Sequence, residues 1–301
     1  MDLKTARQIF MTAKKAQMVT ATTFRLYNDQ LRRFLSFAMD RDIFDTDALT
    51  KELIEAYLID FKSSGVRNIT VHRDFRIIRT FSRFLYQNDF TNSNPIEGVT
   101  PPIKEKKVMR TFTAQEIKKM FNSFDKSDYY GYRNYAITAT FFSTGIRKTE
   151  LSNIKMTDIN FTGEFIRIFG KGQKERLVPI GRTLERIIKH YLELRDEHLT
   201  QPCNYLFISK KGGQLTSIGL QRLFQHIKKE LQIPGERVSC HTWRHTFAKN
   251  YLLNGGDIFS LQKIMGHADI ATTKQYLNLN ENEVKAQHAK FNPLDNTDWL
   301  I

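Results

Sequence analysis

The chain has 301 residues, 41% of them apolar and 26% charged, with 46 Lys and Arg against 32 Asp and Glu and a formal net charge of +14. That length suggests two domains of about 150 residues each, and the composition is that of an ordinary soluble globular protein. No run of about 18 apolar residues marks a membrane span, the N-terminus MDLKTARQIF is too polar for a secretory signal, and two cysteines, Cys203 and Cys240, make no disulfide framework. The expected setting is therefore a reducing cytoplasm with no membrane partner. The positive excess is spread along the chain: 19 basic and 13 acidic residues precede residue 111, and 27 and 19 follow it. A basic surface on folded segments favours nucleic acid over a merely solvated exterior, because phosphates attract it.

The first hundred residues read as helical. Apolar side chains recur at Phe24, Tyr27, Leu31, Phe34, Leu35 and Ala38, the three-and-four spacing of one helix face over 22–39. A second helix is expected over 50–62, with Leu53, Ile54, Tyr57, Leu58 and Phe61 and with Thr50 as N-cap. A third over 68–87 buries Val71, Phe75, Ile78, Phe81 and Leu85. Beside that apolar arc, Arg73, Arg76, Arg79 and Arg83 fall within roughly 120° at about 100° per residue, a candidate surface for phosphate or base edges.

Asn94-Pro95 ends this unit, and the proline- and lysine-bearing stretch around Pro101-Pro102 reads as an extended linker. Structure restarts at Thr113-Ala114-Gln115-Glu116, a capping box. Beyond it the pattern is mixed. Helices are expected over 114–122, 130–143, 183–199, 217–231, 242–253, 257–265 and 271–277. Phe165–Ile168 and Glu175–Val178 look like a hairpin around Gly170-Lys171-Gly172-Gln173, with Tyr205–Phe207 as a third strand. The expected fold is mainly α with a small antiparallel sheet. A helical domain covers 1–104, a basic linker 105–111, a mixed α+β domain 112–280 and a C-terminal segment 281–301. That last segment ends in the apolar triplet Trp299, Leu300 and Ile301.

No GxxxxGK(S/T) phosphate loop, GxGxxG turn or HExxH zinc motif is present, and Cys240 beside His241 is a poor metal candidate. No metal and no cofactor is expected. What remains is a set of cations and one tyrosine. Arg147 and Glu150 stand three apart in FFSTGIRKTELSNI, so Glu150 can orient Arg147 on one helical turn. Lys171 lies at a hairpin tip between two glycines. His241 and Arg244 are one turn apart, and His267 precedes Tyr276 by nine residues. Singly, each of these residues is most simply structural. Jointly they are the groups needed for metal-free phosphoryl transfer to a tyrosine.

The motifs TGIRKTEL (144–151), GKGQKERLVPI (170–180), HTWRHTFA (241–248) and MGHADIATTKQY (265–276) occur in this order. With them the chain resembles the tyrosine recombinase (phage integrase) family, and its compact Xer-type members most. The resemblance spans essentially the whole chain, with Trp243 and Met265 as minor departures. It implies a helical, SAM-like core-binding domain followed by a catalytic domain, acting on double-stranded DNA at a short core site. It also implies roles. Arg147 and Arg244 would clamp the phosphate and His267 would add a hydrogen bond. Tyr276 would attack phosphorus to leave a 3′-phosphotyrosine, His241 would take its proton, Lys171 would protonate the leaving 5′-oxygen, and Glu150 would support the set. Neither ATP nor metal is needed. The family works as a tetramer on two sites, in which 280–301 would dock on a neighbour, and a partner recombinase or activator is compatible with it. With both domains allotted, no room remains for an arm-site domain, which favours short core sites. Two other readings are a catalytically silent DNA-binding protein on the same fold and a type IB topoisomerase-like enzyme.

Overall fold

The computed structural model describes residues 1–103, 109–170, 174–199, 201–234, 238–277 and 281–291. The chain divides into two compact units, Met1–Lys107 and Val108–Ile301. The fold is mainly helical, with one small antiparallel sheet among the described residues.

The N-terminal unit packs four helices: α1 (Leu3–Ala16), α2 (Ala21–Met39), α3 (Lys51–Ser63) and α4 (Asn68–Gln87). Of these, α1 was not foreseen as a separate helix. It starts where the Asp2 carboxylate accepts from the Thr5 amide at 2.8 Å. Its Phe10 ring meets Tyr27, Phe81 and Phe84 edge-on, with centroids 5.2–5.5 Å apart, an aromatic cluster set in a mostly aliphatic core. Within α4 the arginines divide by exposure: Arg73, Arg76 and Arg83 are exposed, and Arg79 lies half-buried over the Phe75 ring. Asp74 points the other way. It is buried, accepting from Arg33 at 2.8 Å and from the Tyr57 hydroxyl at 2.9 Å. It therefore does little to neutralise the arginine-bearing face.

In the C-terminal unit, α5 (Ala114–Asn122) opens with both bonds of the capping box between Thr113 and Glu116. Next come α6 (Tyr129–Thr144) and α7 (Lys148–Asn153). The sheet follows, with β1 (Ile159–Asn160), β2 (Phe165–Phe169) and β3 (Glu175–Pro179) in the order β1-β2-β3. In the hairpin, Ile166 faces Val178 and Ile168 faces Arg176. Ile166, Ile168 and Val178 point inward, the alternation expected of a half-buried ribbon. Gly170 closes it by donating to the Lys174 carbonyl at 2.8 Å. The third strand is not the expected one. Tyr205 makes only an isolated bridge to Lys155, Leu206 donates to Ile154 and Leu215 to Phe207. That segment is extended and buried but bonds to loops, and Ile159–Asn160 takes the place beside β2.

The remaining helices are α8 (Arg182–His198), α9 (Ser217–Glu230), α10 (Cys240–Leu253), α11 (Ile258–Met265), α12 (Ala271–Lys274) and α13 (Glu281–Phe291). The apolar helices α6 and α10 form the centre. Trp243, fully buried, contacts Phe112, Phe121, Phe142 and Phe224. Its indole fills an aromatic pocket. Gly145 ends α6 in the left-handed conformation, φ 59°, and any Cβ there would run into the Phe247 ring. α13 lies on its own chain: Gln287 donates to the Leu252 and Leu253 carbonyls, and Lys249 pairs with Glu283. Trp299, Leu300 and Ile301 lie outside the described residues. No helix among the described residues is long and apolar enough to cross a membrane.

Candidate active site

The site is assembled around the C-terminus of α11. A helix ends with carbonyls that have no partner in the helix and carry partial negative charge. Here three arginines satisfy them. Arg176 Nε donates to the Ile264 carbonyl at 2.7 Å and Arg244 Nη2 to that of Met265 at 2.7 Å. Arg147 approaches the Met265 and Gly266 carbonyls at 3.4 Å each. Gly266 makes this possible. Its φ is 63°, and a Cβ would come within 2.9 Å of the Arg176 side chain.

Glu150 is the carboxylate in this group. Its Oε1 accepts from Arg147 Nη1 at 2.8 Å and Arg176 Nη1 at 3.0 Å. Its Oε2 accepts from Arg176 Nη2 at 2.7 Å and from the Arg147 backbone amide at 2.8 Å. Burial by itself would push its pKa up, but the hydrogen bonds and charge of Arg176 and Arg147 outweigh it and hold the carboxyl down to about 2. One carboxylate against three guanidinium groups leaves a local positive excess, which an anion would relieve.

Arg244 is buried on α10. It donates from Nη1 to the Gly145 carbonyl at 2.6 Å, and its Nη2 also lies 2.8 Å from His267 Nε2. Burial, then repulsion from Arg147, lowers its pKa to about 10, so it stays charged at neutral pH. A guanidinium can only donate, so His267 Nε2 accepts and the ring proton sits on Nδ1. From there it donates to Thr273 Oγ1 at 2.8 Å. Burial first and then Arg244 hold this imidazole down to about 4, keeping it neutral.

Tyr276 follows α12 in a short 3₁₀ turn, Gln275–Leu277, and is 6% exposed. Its ring stacks near that of His267, with centroids 6.3 Å apart and planes 12° from parallel. Burial raises its pKa, and the charge of Arg244 opposes the rise. Its hydroxyl lies 3.1 Å from Nδ1 of His245. His241 stands one turn earlier on α10 and is exposed. Thus Arg147, Glu150, Arg244, His267 and Tyr276 converge, whereas Lys171 lies outside the described residues.

Two participants were missed by sequence reasoning. His245 follows His241 by four residues, which puts both on one helix face, and that spacing was a usable signal. Arg176 gave a weaker one. It alternates with Val178 along β3, and only the fold shows that it meets Glu150. Among the described residues, no three His, Cys, Asp or Glu side chains converge as metal ligands would.

The phage integrase family model matches residues 110–283, which contain this whole constellation. The chain belongs to the phage integrase family. A relative from Listeria innocua, the tyrosine recombinase XerD, is 30% identical over 280 residues, covering 91% of this chain and 94% of that one. This enzyme is a Xer-type tyrosine recombinase. Its fold recurs in the XerH site-specific recombinase bound to a palindromic difH substrate, with TM-score 0.75, 19% identity and 95% and 85% of the two chains covered. It recurs again in the Tn1549 transposon integrase in complex with transposon right end DNA, with TM-score 0.77, 18% identity and 97% and 100% covered.

Proposed function

We propose that this recombinase cuts and rejoins duplex DNA at a short core site through a 3′-phosphotyrosine on Tyr276, without metal or ATP. The observation that carries this reading is the excess of guanidinium charge, from buried Arg244 and the more exposed Arg147 and Arg176, beside a tyrosine hydroxyl. Arg147 and Arg176 share the Glu150 carboxylate and Arg244 stands beside them, so the site carries two uncompensated positive charges, of which a phosphodiester would cancel one and its more highly charged transition state more. Arg147 and Arg244 hold the non-bridging oxygens, and their hydrogen bonds strengthen as charge builds on phosphorus in the transition state. Neutral His267, with its Nδ1 on Thr273 and its Nε2 accepting from Arg244, has no ring proton left for the phosphate that the family resemblance assigned it, and instead holds Arg244 in place. Glu150 and Arg176 fix Arg147 in place. Tyr276 attacks, its proton leaves to a histidine of α10, and Lys171 protonates the departing 5′-oxygen. The covalent bond conserves the cleaved linkage, so a second DNA end can reverse the step and exchange strands.

The XerH and Tn1549 structures contain DNA, which supports DNA as the partner here. Arg73, Arg76 and Arg83 on the exposed face of α4, with Arg79 beside them, are proposed to contact it. Strand exchange between two sites calls for four protomers. In that assembly α13 would exchange its contacts on its own α10 for the same contacts on a neighbour. The protein is proposed to act in the cytoplasm, alone or with a partner recombinase or an activator.

Covalent capture in the native host tests the reading. Cells are lysed in denaturant, the protein is recovered, and attached DNA is sequenced beside a Tyr276→Phe strain. Attachment at one or two shared sequences, absent from the variant, is expected. Expressed, folded protein carrying no DNA would favour a silent binder instead.

A further inference from the structure

We infer that His245 takes the phenolic proton of Tyr276 during strand cleavage, because its Nδ1 sits at the hydroxyl while the other groups around that hydroxyl are engaged as donors or cations. The assignment rests on the function proposed above. It replaces His241 with His245 in the role that the family resemblance suggested.

The geometry eliminates the neighbours in turn. Arg244 and Arg147 are cations and can accept no proton. His267 stacks on Tyr276, but its Nε2 accepts from Arg244 and its Nδ1 donates to Thr273, so neither nitrogen is open to the phenol. His245 Nδ1 lies 3.1 Å from the Tyr276 hydroxyl, within the reach that a general base requires. The rings are tilted by 48° with centroids 5.5 Å apart, so the contact is edge-on through the nitrogen and not a stack. Both residues are held firmly: Tyr276 is buried, and His245 lies mid-helix between the buried residues Arg244 and Thr246.

The proton balance closes. The Tyr276 O–H bond breaks as an N–H bond forms on His245 Nδ1, and the phenolic oxygen bonds to phosphorus while the bond from phosphorus to the 5′-oxygen breaks. That oxygen takes its proton from Lys171. On rejoining, imidazolium His245 returns its proton to the tyrosine. In the free chain, burial first and then the positive charge of His241 and Arg244 hold the His245 imidazole down to about 4, so it is neutral and able to accept. A phosphodiester on Arg244 cancels part of that repulsion, making His245 more basic when the proton must move. His241, on the same helix face, tunes His245 by charge.

The test uses His245→Asn, whose amide oxygen can accept the Tyr276 hydrogen bond but cannot keep the proton. The probe is a duplex with the sequence recovered by covalent capture, carrying either the ordinary 5′-bridging oxygen or a 5′-bridging sulfur at the cleaved phosphate. A thiolate leaves without being protonated, so sulfur bypasses the acid but not the base. His245→Asn should cleave the oxygen substrate about 10²–10⁴-fold more slowly than wild type. DNA affinity and melting temperature should be unchanged, and sulfur should restore nothing. Lys171→Ala, in contrast, should be restored by sulfur. Cleavage by His245→Asn within about threefold of wild type, or rescue of it by sulfur, overturns the assignment of a base at this position. Failure of the wild-type protein to form any covalent complex is a different result, and it overturns the recombinase reading itself. A second measurement needs neither variant nor DNA. Nitrogen-15 NMR of histidine-labelled wild-type protein should show His245 bare at Nδ1 and protonated at Nε2, and a proton resident on Nδ1 would overturn the proposal.

Discussion

Replacing Glu150 by Gln removes the one carboxylate that holds Arg147 and Arg176 together, at almost no change in volume. Glu150 accepts four hydrogen bonds, all from arginine donors. A glutamine keeps one acceptor oxygen and turns an NH₂ toward guanidinium donors, leaving Arg176, whose side chain is 12% exposed, without its counter-charge. The pKa gives the size. A carboxyl lowered from 4.5 to about 2 is buried and strongly paired. At 1.36 kcal/mol per unit that is about 3 kcal/mol of stability at pH 7, within the range for breaking a buried ion pair. For a unit of this size it amounts to roughly 6–12 °C in melting temperature. The sign follows from the depressed pKa. The contribution is complete above the unfolded value near 4.5 and is lost as pH falls through the folded value near 2. The gap between wild type and Glu150→Gln should therefore shrink by about half between pH 7 and pH 3. Melting curves of both proteins at pH 7, 4 and 3 give the comparison directly. Equal melting temperatures at pH 7, or a gap that does not narrow toward pH 3, would refute the view that Glu150 is the ionised hub of the site.

Gly145→Ala combines a positive φ with a collision against Phe247, and should cost roughly 2–4 kcal/mol in chemical denaturation; a loss below about 1 kcal/mol would mean that the end of α6 adapts. Arg244→Lys leaves one ammonium where a guanidinium reaches Gly145, Met265 and His267, so covalent complex formation should fall by about 10²–10³-fold, and a wild-type yield would contradict the clamp. His267 has a pKa depressed below its ordinary value, to about 4, so the wild-type fold loses stability as pH falls from about 6.5 toward 4. His267→Gln should lose less over that window, and parallel melting curves would count against a buried neutral imidazole. Reversing the charge of Arg76 and Arg79 should weaken DNA binding and reduce its salt slope by up to about 2; an unchanged slope returns that face of α4 to solvent.

Much of the fold was legible because it rests on periodicity and caps. The apolar spacing of 22–39, 50–62 and 68–87 and the Thr113–Glu116 box locate helices that are present. The β2–β3 hairpin was legible from its alternation. The third strand was not, because an extended buried run such as Tyr205–Phe207 reads alike whether it bonds to a strand or to loops, and the two-residue β1 is too short to carry a pattern. In the site, Arg147, Glu150, Arg244, His267 and Tyr276 stood out as motif residues, and they converge. Arg176 and the α11 carbonyls could not be found that way. A backbone carbonyl has no signature in sequence, and a β-strand arginine looks like any solvated cation until the fold places it on Glu150. His245 was hidden by its neighbour, since one histidine in HTWRHTFA was enough to satisfy the expected chemistry.

The central claim is that Tyr276 carries the cleaved strand, and the most direct measurement is mass spectrometry of the covalent complex. Protein recovered on DNA in denaturant would be digested with nuclease and protease, and the modified peptide sequenced by fragmentation. The account predicts a nucleotide remnant joined through its 3′-phosphate to Tyr276, and none in Tyr276→Phe. A remnant on another residue, or one attached through a 5′-phosphate, would contradict it.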